Sequence, residues 1–134
     1  MIGVVACSKT KAPEPRPAVE LYQGRTFKAA VEVLRARGCE RFVILSACYG
    51  AVDGNRVIAP YEQTLIGAPA RERRAWAATA RAQLVELVGD APLLAILPAD
   101  YARALEGLPR VGRLFAGLPQ GRLFAALAAA RRES

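Results

Sequence analysis

Three apolar stretches, each ending in small or polar residues, constrain the fold of this chain most strongly. They run from Ile2 to Cys7, from Arg41 to Ser46 and from Pro92 to Pro98. A short, unbroken apolar run of this kind is typical of a strand that is buried on both faces of a parallel sheet. The sequence therefore predicts a sheet that is built around three parallel strands.

Helical patterns separate these stretches. A short helix is expected from Ala18 to Gln23, and from Arg25 to Arg37 the apolar residues recur at i, i+3, i+4 and i+7. A long helix is expected from Pro69 to Val88, and a final helix from Arg122 to about Arg132. The expected inner face of the long helix consists of Trp76, Ala80, Leu84 and Leu87.

Strands that alternate with helices predict the α/β class. We expect a three-layer α/β/α arrangement with a small, mainly parallel sheet of three to four strands, the fourth lying near Gly112 to Ala116. Residues 47–66 are predicted to form one long irregular loop. A loop of this length in a small domain more often has a function than serves only as a connection. No linker divides the chain, so residues 1–134 are expected to form a single domain.

Composition excludes several functions. The chain has no histidine, so it cannot build a Ser-His-Asp or Cys-His mechanism, and three scattered cysteines are a poor substitute for the usual zinc ligands. The glycine-rich motifs that bind phosphates or dinucleotides are missing as well. We therefore expect neither a metal nor a cofactor, and metal binding through carboxylates alone is left open without a motif that supports it.

Hydropathy and charge limit the cellular locations and the classes of binding partner that we expect for this protein. No apolar run approaches the ~20 residues of a membrane helix, and an odd number of cysteines fits a reducing compartment, so we expect a cytoplasmic protein without a membrane partner. The net charge of +7 favours DNA, RNA or a phosphorylated ligand, while a generally arginine-rich composition explains the same charge. The cluster that starts the long helix is either a phosphate contact or solvated charge, and consists of Arg71, Arg73 and Arg74.

The three predicted strands end at one edge of the sheet. Because open α/β sheets bind ligands at the carboxyl ends of their strands, we expect a pocket there, which would suit a planar polar ligand such as a nucleobase or a nucleotide. The plainer alternative is that its cysteines only pack and that its polar groups cap turns. The expected ligand-binding residues are Cys7, Ser8, Thr10, Cys48, Tyr49, Gly50, Pro60, Tyr61, Asp100 and Tyr101.

Lysine is rare in this chain, and its position is informative. Only three of the 19 basic residues are lysines, and two of them, Lys9 and Lys11, directly follow the first strand. Burial near another cation is one way in which a lysine becomes reactive near neutral pH, so both are candidate nucleophiles or acid-base groups. Glu62 is a candidate general base or orienting group. Without a suitable leaving group the same residues would hold a phosphate or a carboxylate, so the sequence leaves open whether this is an enzyme.

The order of these motifs resembles that of the YaaA family of peroxide-stress proteins, which includes small uncharacterised members. The resemblance rests on strand-Ser-x-Lys-Thr, on Ile-Leu-Ser-Ala-x-Tyr-Gly followed by Pro-Tyr-Glu, and on a later strand that enters Ala-Asp-Tyr. It implies DNA binding or protection from oxidative damage. The residues it marks are Ser8, Lys9, Thr10, Ser46, Tyr49, Gly50, Pro60, Tyr61, Asp100 and Tyr101.

A weaker likeness connects the chain with the catalytic core of archaeosine synthase. Cys7 and Lys11 have the spacing of the Cys-x3-Lys motif that carries a reactive lysine in that family. This likeness implies a modified nucleobase or an N-glycosidic bond as the setting. The family's downstream Ser-x2-His motif has no counterpart in this sequence.

Together with the resemblance to the YaaA family, these patterns predict a protein that binds a nucleobase, a nucleotide or a nucleic-acid component at the strand ends. Chemistry by a lysine on the base or on its glycosidic bond is left open. The alternative is a non-enzymatic DNA- or RNA-binding protein of the oxidative stress response, which would act through its arginine surface.

Overall fold

The computed structural model of the chain describes residues 1–116, 118 and 120–133. Strands and helices alternate along the chain. In chain order they are β1 (Ile2–Ala6), β2 (Arg16–Pro17), α1 (Ala18–Leu21), α2 (Arg25–Ala36), β3 (Arg41–Ser46), β4 (Gly50–Asp53), β5 (Val57–Ile58), α3 (Ala70–Val88), β6 (Leu93–Ile96), α4 (Ala99–Ala102), β7 (Val111–Arg113) and α5 (Gln120–Glu133). A single 3₁₀ turn, Arg103–Leu105, follows α4.

Five of these strands form the main sheet within the described part of the chain. Their spatial order is β4-β3-β1-β6-β7, so β1 lies at the centre. The pairings of β1 with β3, of β1 with β6 and of β6 with β7 are parallel, whereas β4 is antiparallel to β3. Strands β2 and β5 pair separately as a small antiparallel sheet of two residues each.

Helices cover both faces of the main sheet, which gives three layers. Val5, Ile44 and Ile96 belong to the core cluster that contains the buried residues of α2 and α5. Their neighbours Val4 and Val43 belong to the cluster that contains the buried residues of α3. This alternation follows from the strand geometry, in which successive side chains point to opposite faces of the sheet.

The predicted α/β/α class is therefore confirmed, with one more strand than the expected three to four. The additional strand is β4, which lies in the segment that was predicted to be irregular. It forms a tight hairpin with β3 through residues 47–49, and β5 lies in the same segment. The prediction was wrong here because β4 has only four residues, begins at Gly50 and is followed directly by Gly54, and glycine is more typical of loops.

Two helices also differ from the expectation in detail. The helix that begins at Ala18 ends at Leu21 instead of Gln23, because the next residue, Tyr22, forms an antiparallel bridge with Lys11. The buried face of α3 is shifted relative to the predicted one, and Trp76 and Leu87 are only half-buried. Its buried residues are Ala77, Ala80, Leu84 and Val88.

The packing of α3 predicts different effects for two adjacent substitutions. Leu84 is fully buried under the sheet, so Leu84→Ala should lower the free energy of unfolding by roughly 2–5 kcal/mol. Val85 is 46% exposed, and Val85→Ala should change it by less than about 0.5 kcal/mol. Urea unfolding of both variants measures the difference, and equal losses would contradict the burial of this helix face.

Candidate functional site

The strand order reverses beside β1, and side chains from two strand ends meet there. The chain passes from β1 to its neighbour β3 and later returns to β6 on the other side of β1. Open α/β sheets bind ligands in the crevice outside such a point. Cys7, which follows β1, and Tyr101, in α4 after β6, lie across this crevice with 3.3 Å between the thiol sulphur and the phenol oxygen.

Ser46 organises the end of β3. Of the polar residues that the structure describes, Ser46 is the one that is fully buried, with 0% of its surface exposed. Its hydroxyl accepts the backbone N–H groups of Cys48 and Tyr49, at 3.1 and 3.0 Å, and donates to the hydroxyl of Tyr61 at 2.8 Å. A hydroxyl has one donor and two acceptor positions, so all of its hydrogen-bonding capacity is used.

Tyr61 lies at the centre of the site. Its hydroxyl shares a 2.8 Å hydrogen bond with the hydroxyl of Tyr22, and its ring meets the rings of Tyr22 and Tyr49 edge-on, with centroids 6.3 and 5.6 Å apart. The ammonium nitrogen of Lys11 lies over the Tyr61 ring at 4.3 Å from the centroid. A protonated amine at this distance from the face of an aromatic ring is attracted by the π electrons of the ring, which is a cation–π interaction.

The loop after β1 brings Lys11 and Tyr22 to this position. Besides the Lys11–Tyr22 bridge, the backbone N–H of Ala12 donates to the carbonyl of Leu21 at 2.8 Å. The Lys11 amine donates to the carbonyl of Lys9 at 3.1 Å and also lies 5.8 Å from the centroid of the Tyr22 ring. The amine is therefore held by one carbonyl and by two aromatic rings.

Helix α3 closes the other side of the site with Trp76. The indole N–H donates to the backbone carbonyl of Ser46 at 2.9 Å, and the indole meets the Tyr101 ring edge-on at 5.2 Å. These contacts fix the amino end of α3 at the same edge of the sheet as the strand ends.

All four tyrosines of the chain and its single tryptophan therefore lie in or beside this cluster. Tyr22 was not predicted as a site residue, because it was expected to lie in a short helix, and Trp76 was predicted only as a core residue. The bridge between Lys11 and Tyr22 spans a proline-rich segment that has no local signal for pairing. The small number of tyrosines was an available signal, since three of the four had already been selected.

Several predicted ligand residues have structural contacts at this edge. The hydroxyl of Ser8 donates to the carbonyl of Thr10 at 2.9 Å and accepts the N–H of Gly24, at the start of α2, at 3.2 Å. Gly50 has a φ of +75°, and a methyl group there would overlap the side chain of Gln83. The hydroxyl of Tyr49 donates to the carbonyl of Ala59 at 3.3 Å.

Other predicted residues lie at the outer margin of the site. The side chains of Lys9, Thr10, Cys48, Pro60 and Glu62 are exposed. Among the described residues Glu62 forms no ion pair, so the structure does not join it to either lysine. Of the three predicted catalytic residues, it is Lys11 that lies within the tyrosine cluster.

The arginines at the start of α3 divide into two kinds. Arg71 and Arg74 are exposed, whereas Arg73 is half-buried and donates to the carbonyl of Ala68 at 2.6 Å. The guanidinium of Arg73 also lies 4.0 Å from the carboxylate of Asp100. The ion pair of Arg73 and Asp100 thus joins α3 to α4. Arg71 and Arg74 are accessible to solvent or to a polyanion.

No group of three or more metal-binding side chains is present in the part of the chain that the structure describes. No described helix is long and apolar enough to cross a membrane. A surface groove of about 420 Å³ lies at the opposite edge of the sheet, at the start of β6, and is lined by Val88, Leu93, Leu108 and Arg110 among others.

Comparison with known proteins places the chain in a family. The profile of a family of unknown function, DUF6884, matches residues 2–128. The chain belongs to this family. No curated protein and no solved structure gives a significant match.

Burial raises the pKa of three tyrosines in this DUF6884 protein, Tyr22, Tyr61 and Tyr101. It raises the pKa of Tyr22 to about 12, although hydrogen bonds from Tyr61 and Ser46 act in the opposite direction. Burial, and next the neighbouring Cys7 thiol, raise the pKa of both Tyr61 and Tyr101. The site therefore presents neutral phenols near neutral pH, which can donate as well as accept hydrogen bonds.

These shifts predict a loss of stability in alkaline solution. The folded protein holds the three phenol protons more tightly than the unfolded chain does, so their contribution to stability is complete below pH ~10 and is lost as the pH rises through the folded pKa values, which is about 12 for Tyr22. Urea unfolding between about pH 9 and pH 11 should show a falling free energy of unfolding. Tyr22→Phe should reduce this fall by about 1.4 kcal/mol.

The absorbance of phenolate provides an independent measurement. In the folded protein most of the phenolate signal should appear only as the protein unfolds at high pH. A complete phenolate signal near pH 10 from a protein that is still folded would contradict the burial of these three hydroxyl groups.

Proposed function

We propose that this DUF6884 protein binds a nucleobase, a nucleotide or a nucleic-acid component at the carboxyl ends of β1, β3 and β6. The observation that carries the proposal is the position of the Lys11 amine, which lies 4.3 Å above the Tyr61 ring within a cluster of all four tyrosines. Flat rings, neutral hydroxyl groups and one amine are the groups that a planar, polar, electron-rich ligand requires.

The charge at the site supports the same ligand class. Within the described residues Lys11 has no carboxylate partner, and the exposed Arg71 and Arg74 lie at the same edge of the sheet. Uncompensated positive charge around a cluster of rings favours a base that carries a phosphate. The resemblance to the YaaA family also agrees with a nucleic-acid component as ligand, and cytoplasmic residence is part of the proposal.

Lys11 is the residue that we propose for any chemistry on the base or on its glycosidic bond. The Lys11 amine lies against the rings of the cluster. Lys9 and Glu62 are exposed, so they would contact a ligand only from the outer margin of the site. Release of a free base from a nucleoside, lost in Lys11→Ala, would give the protein an enzymatic function. Binding without release would make it a binding protein.

Thermal unfolding in the presence of ligands tests this proposal. Wild-type protein is mixed with free bases, nucleosides, nucleotides and short DNA and RNA. A ligand at about 100 times its Kd should stabilise the protein by roughly 2.7 kcal/mol. Lys11→Ala should remove this stabilisation for the ligand that binds.

Lys28→Ala provides the matched control, because Lys28 is an exposed lysine on α2. It removes the same charge and should retain the stabilisation. Loss of binding in both variants would indicate a general effect of charge. The absence of stabilisation by any of these ligands would contradict the proposal.

Direct binding of DNA or RNA through arginines is a second candidate function. The observation that favours it is the pair of exposed arginines, Arg71 and Arg74, at the amino end of α3, next to the strand ends. A chain with a net charge of +7 would be attracted to a phosphate backbone that lies across this edge.

Salt dependence separates this candidate from binding of a small molecule. The double variant Arg71→Ala/Arg74→Ala should weaken oligonucleotide binding and reduce the slope of log K against log salt by about 1 to 2. Arg35→Ala/Arg37→Ala, at the far end of α2, removes the same charge as a control. Equal effects of the two double variants, measured by fluorescence anisotropy, would exclude a specific contact at α3.

A further inference from the structure

The environment of the Tyr61 ring has the features of a binding site for a flat ring. An ammonium group lies over one face, two aromatic rings meet its edge, and two hydroxyl groups bond its polar end. A nucleobase presents the same features, namely a flat electron-rich ring with hydrogen-bonding groups at its edge. The protein thus places one of its own side chains where such a ring would be bound.

The segment that carries Tyr61 has few attachments besides that residue. The Ala59 carbonyl accepts the Tyr49 hydroxyl, and the Ala68 carbonyl accepts the Arg73 guanidinium. Residues 59–69, which we call the strap, contain no helix or strand, and eight of these eleven residues are exposed. Its buried residue is Leu65, which packs in the cluster on the α3 side, and Tyr101 also contacts the backbone of Leu65. Withdrawal of Tyr61 would therefore break its own contacts and leave the main sheet intact.

We infer that the place of the Tyr61 ring is the subsite for the flat ring of the ligand, and that Tyr61 fills it when no ligand is bound. This inference rests on the proposed function and adds to it the part of the ligand that is recognised. The bound ring lies under the Lys11 ammonium group, accepts a hydrogen bond from the Ser46 hydroxyl and faces the hydroxyl of Tyr22. Any phosphate lies outside, toward the exposed arginines.

A side chain that occupies the site competes with the ligand. The apparent association constant then equals the intrinsic one multiplied by the fraction of time in which the site is open. Tyr61→Ala should therefore bind a free base at least about tenfold more tightly than the wild type. Tyr61→Phe keeps the ring but loses the bonds to Ser46 and Tyr22, so its gain should be smaller and still measurable. Ile66→Ala, on the same strap and 72% exposed, should leave the affinity unchanged.

Isothermal titration with adenine, guanine, cytosine and uracil measures these affinities. Tighter binding in Tyr61→Ala, with Tyr61→Phe between it and the wild type, supports the inference. Weaker binding in both variants would show that Tyr61 is a contact of the ligand, which overturns the inference and leaves the proposed function standing. If Tyr61→Ala does not fold, Tyr61→Phe decides the question by the same criterion.

Phenol provides a probe that does not depend on the identity of the ligand. It should bind to Tyr61→Ala and not to the wild type, and benzene should bind more weakly because it cannot bond to Ser46. Binding of phenol but of no base would show only that the substitution opens a cavity of this shape, and it would overturn the inference together with the proposed ligand class. Binding of neither phenol nor any base to Tyr61→Ala would overturn both.

Discussion

The buried hydroxyl of Ser46 is the group on which the arrangement of the site depends. It accepts the two N–H groups that form the turn between β3 and β4, and its proton positions the Tyr61 hydroxyl. Its backbone carbonyl accepts the indole N–H of Trp76 and so fixes α3 at the same edge. One residue at the end of a central strand thereby connects the hairpin, the strap and the helix, since a buried polar group that loses its partners is costly.

The sequence contained enough information to predict the layers of the fold. The apolar runs at Ile2 and Arg41 and the helical period after Arg25 are local patterns, and local patterns predict buried strands and amphipathic helices. The position of β4 was not predictable in this way. Its pairing with β3 depends on a glycine at positive φ, Gly50, and on Gln83 of α3, which accepts the N–H of Ala51. These contacts join residues that are far apart in the chain.

The same distinction applies to the site. Lys11, Tyr49, Tyr61 and Tyr101 were identified because each lies at a strand end or in the following loop, and the structure brings all four to one edge. Tyr22 was missed because its place results from a backbone bridge to Lys11 and from a hydrogen bond to Tyr61, 39 positions away in the sequence. For the three predicted catalytic residues the order of the motifs carried less information. The structure places Lys11 among the rings, and no ion pair of the described residues joins Glu62 to Lys9 or Lys11.

The electrostatics of Lys11 link the fold to the proposed ligand. An ammonium group in a partly buried site is usually stabilised by a carboxylate, but the contacts of Lys11 in the described structure are a backbone carbonyl and the faces of two tyrosines. Rings and carbonyls attract a cation less strongly than a full negative charge does. A ligand that offers both an electron-rich ring and a phosphate would improve the environment of this amine, whereas a cationic ligand would worsen it. The charge of this amine is therefore the electrostatic argument for the ligand that we propose, an anionic nucleotide component.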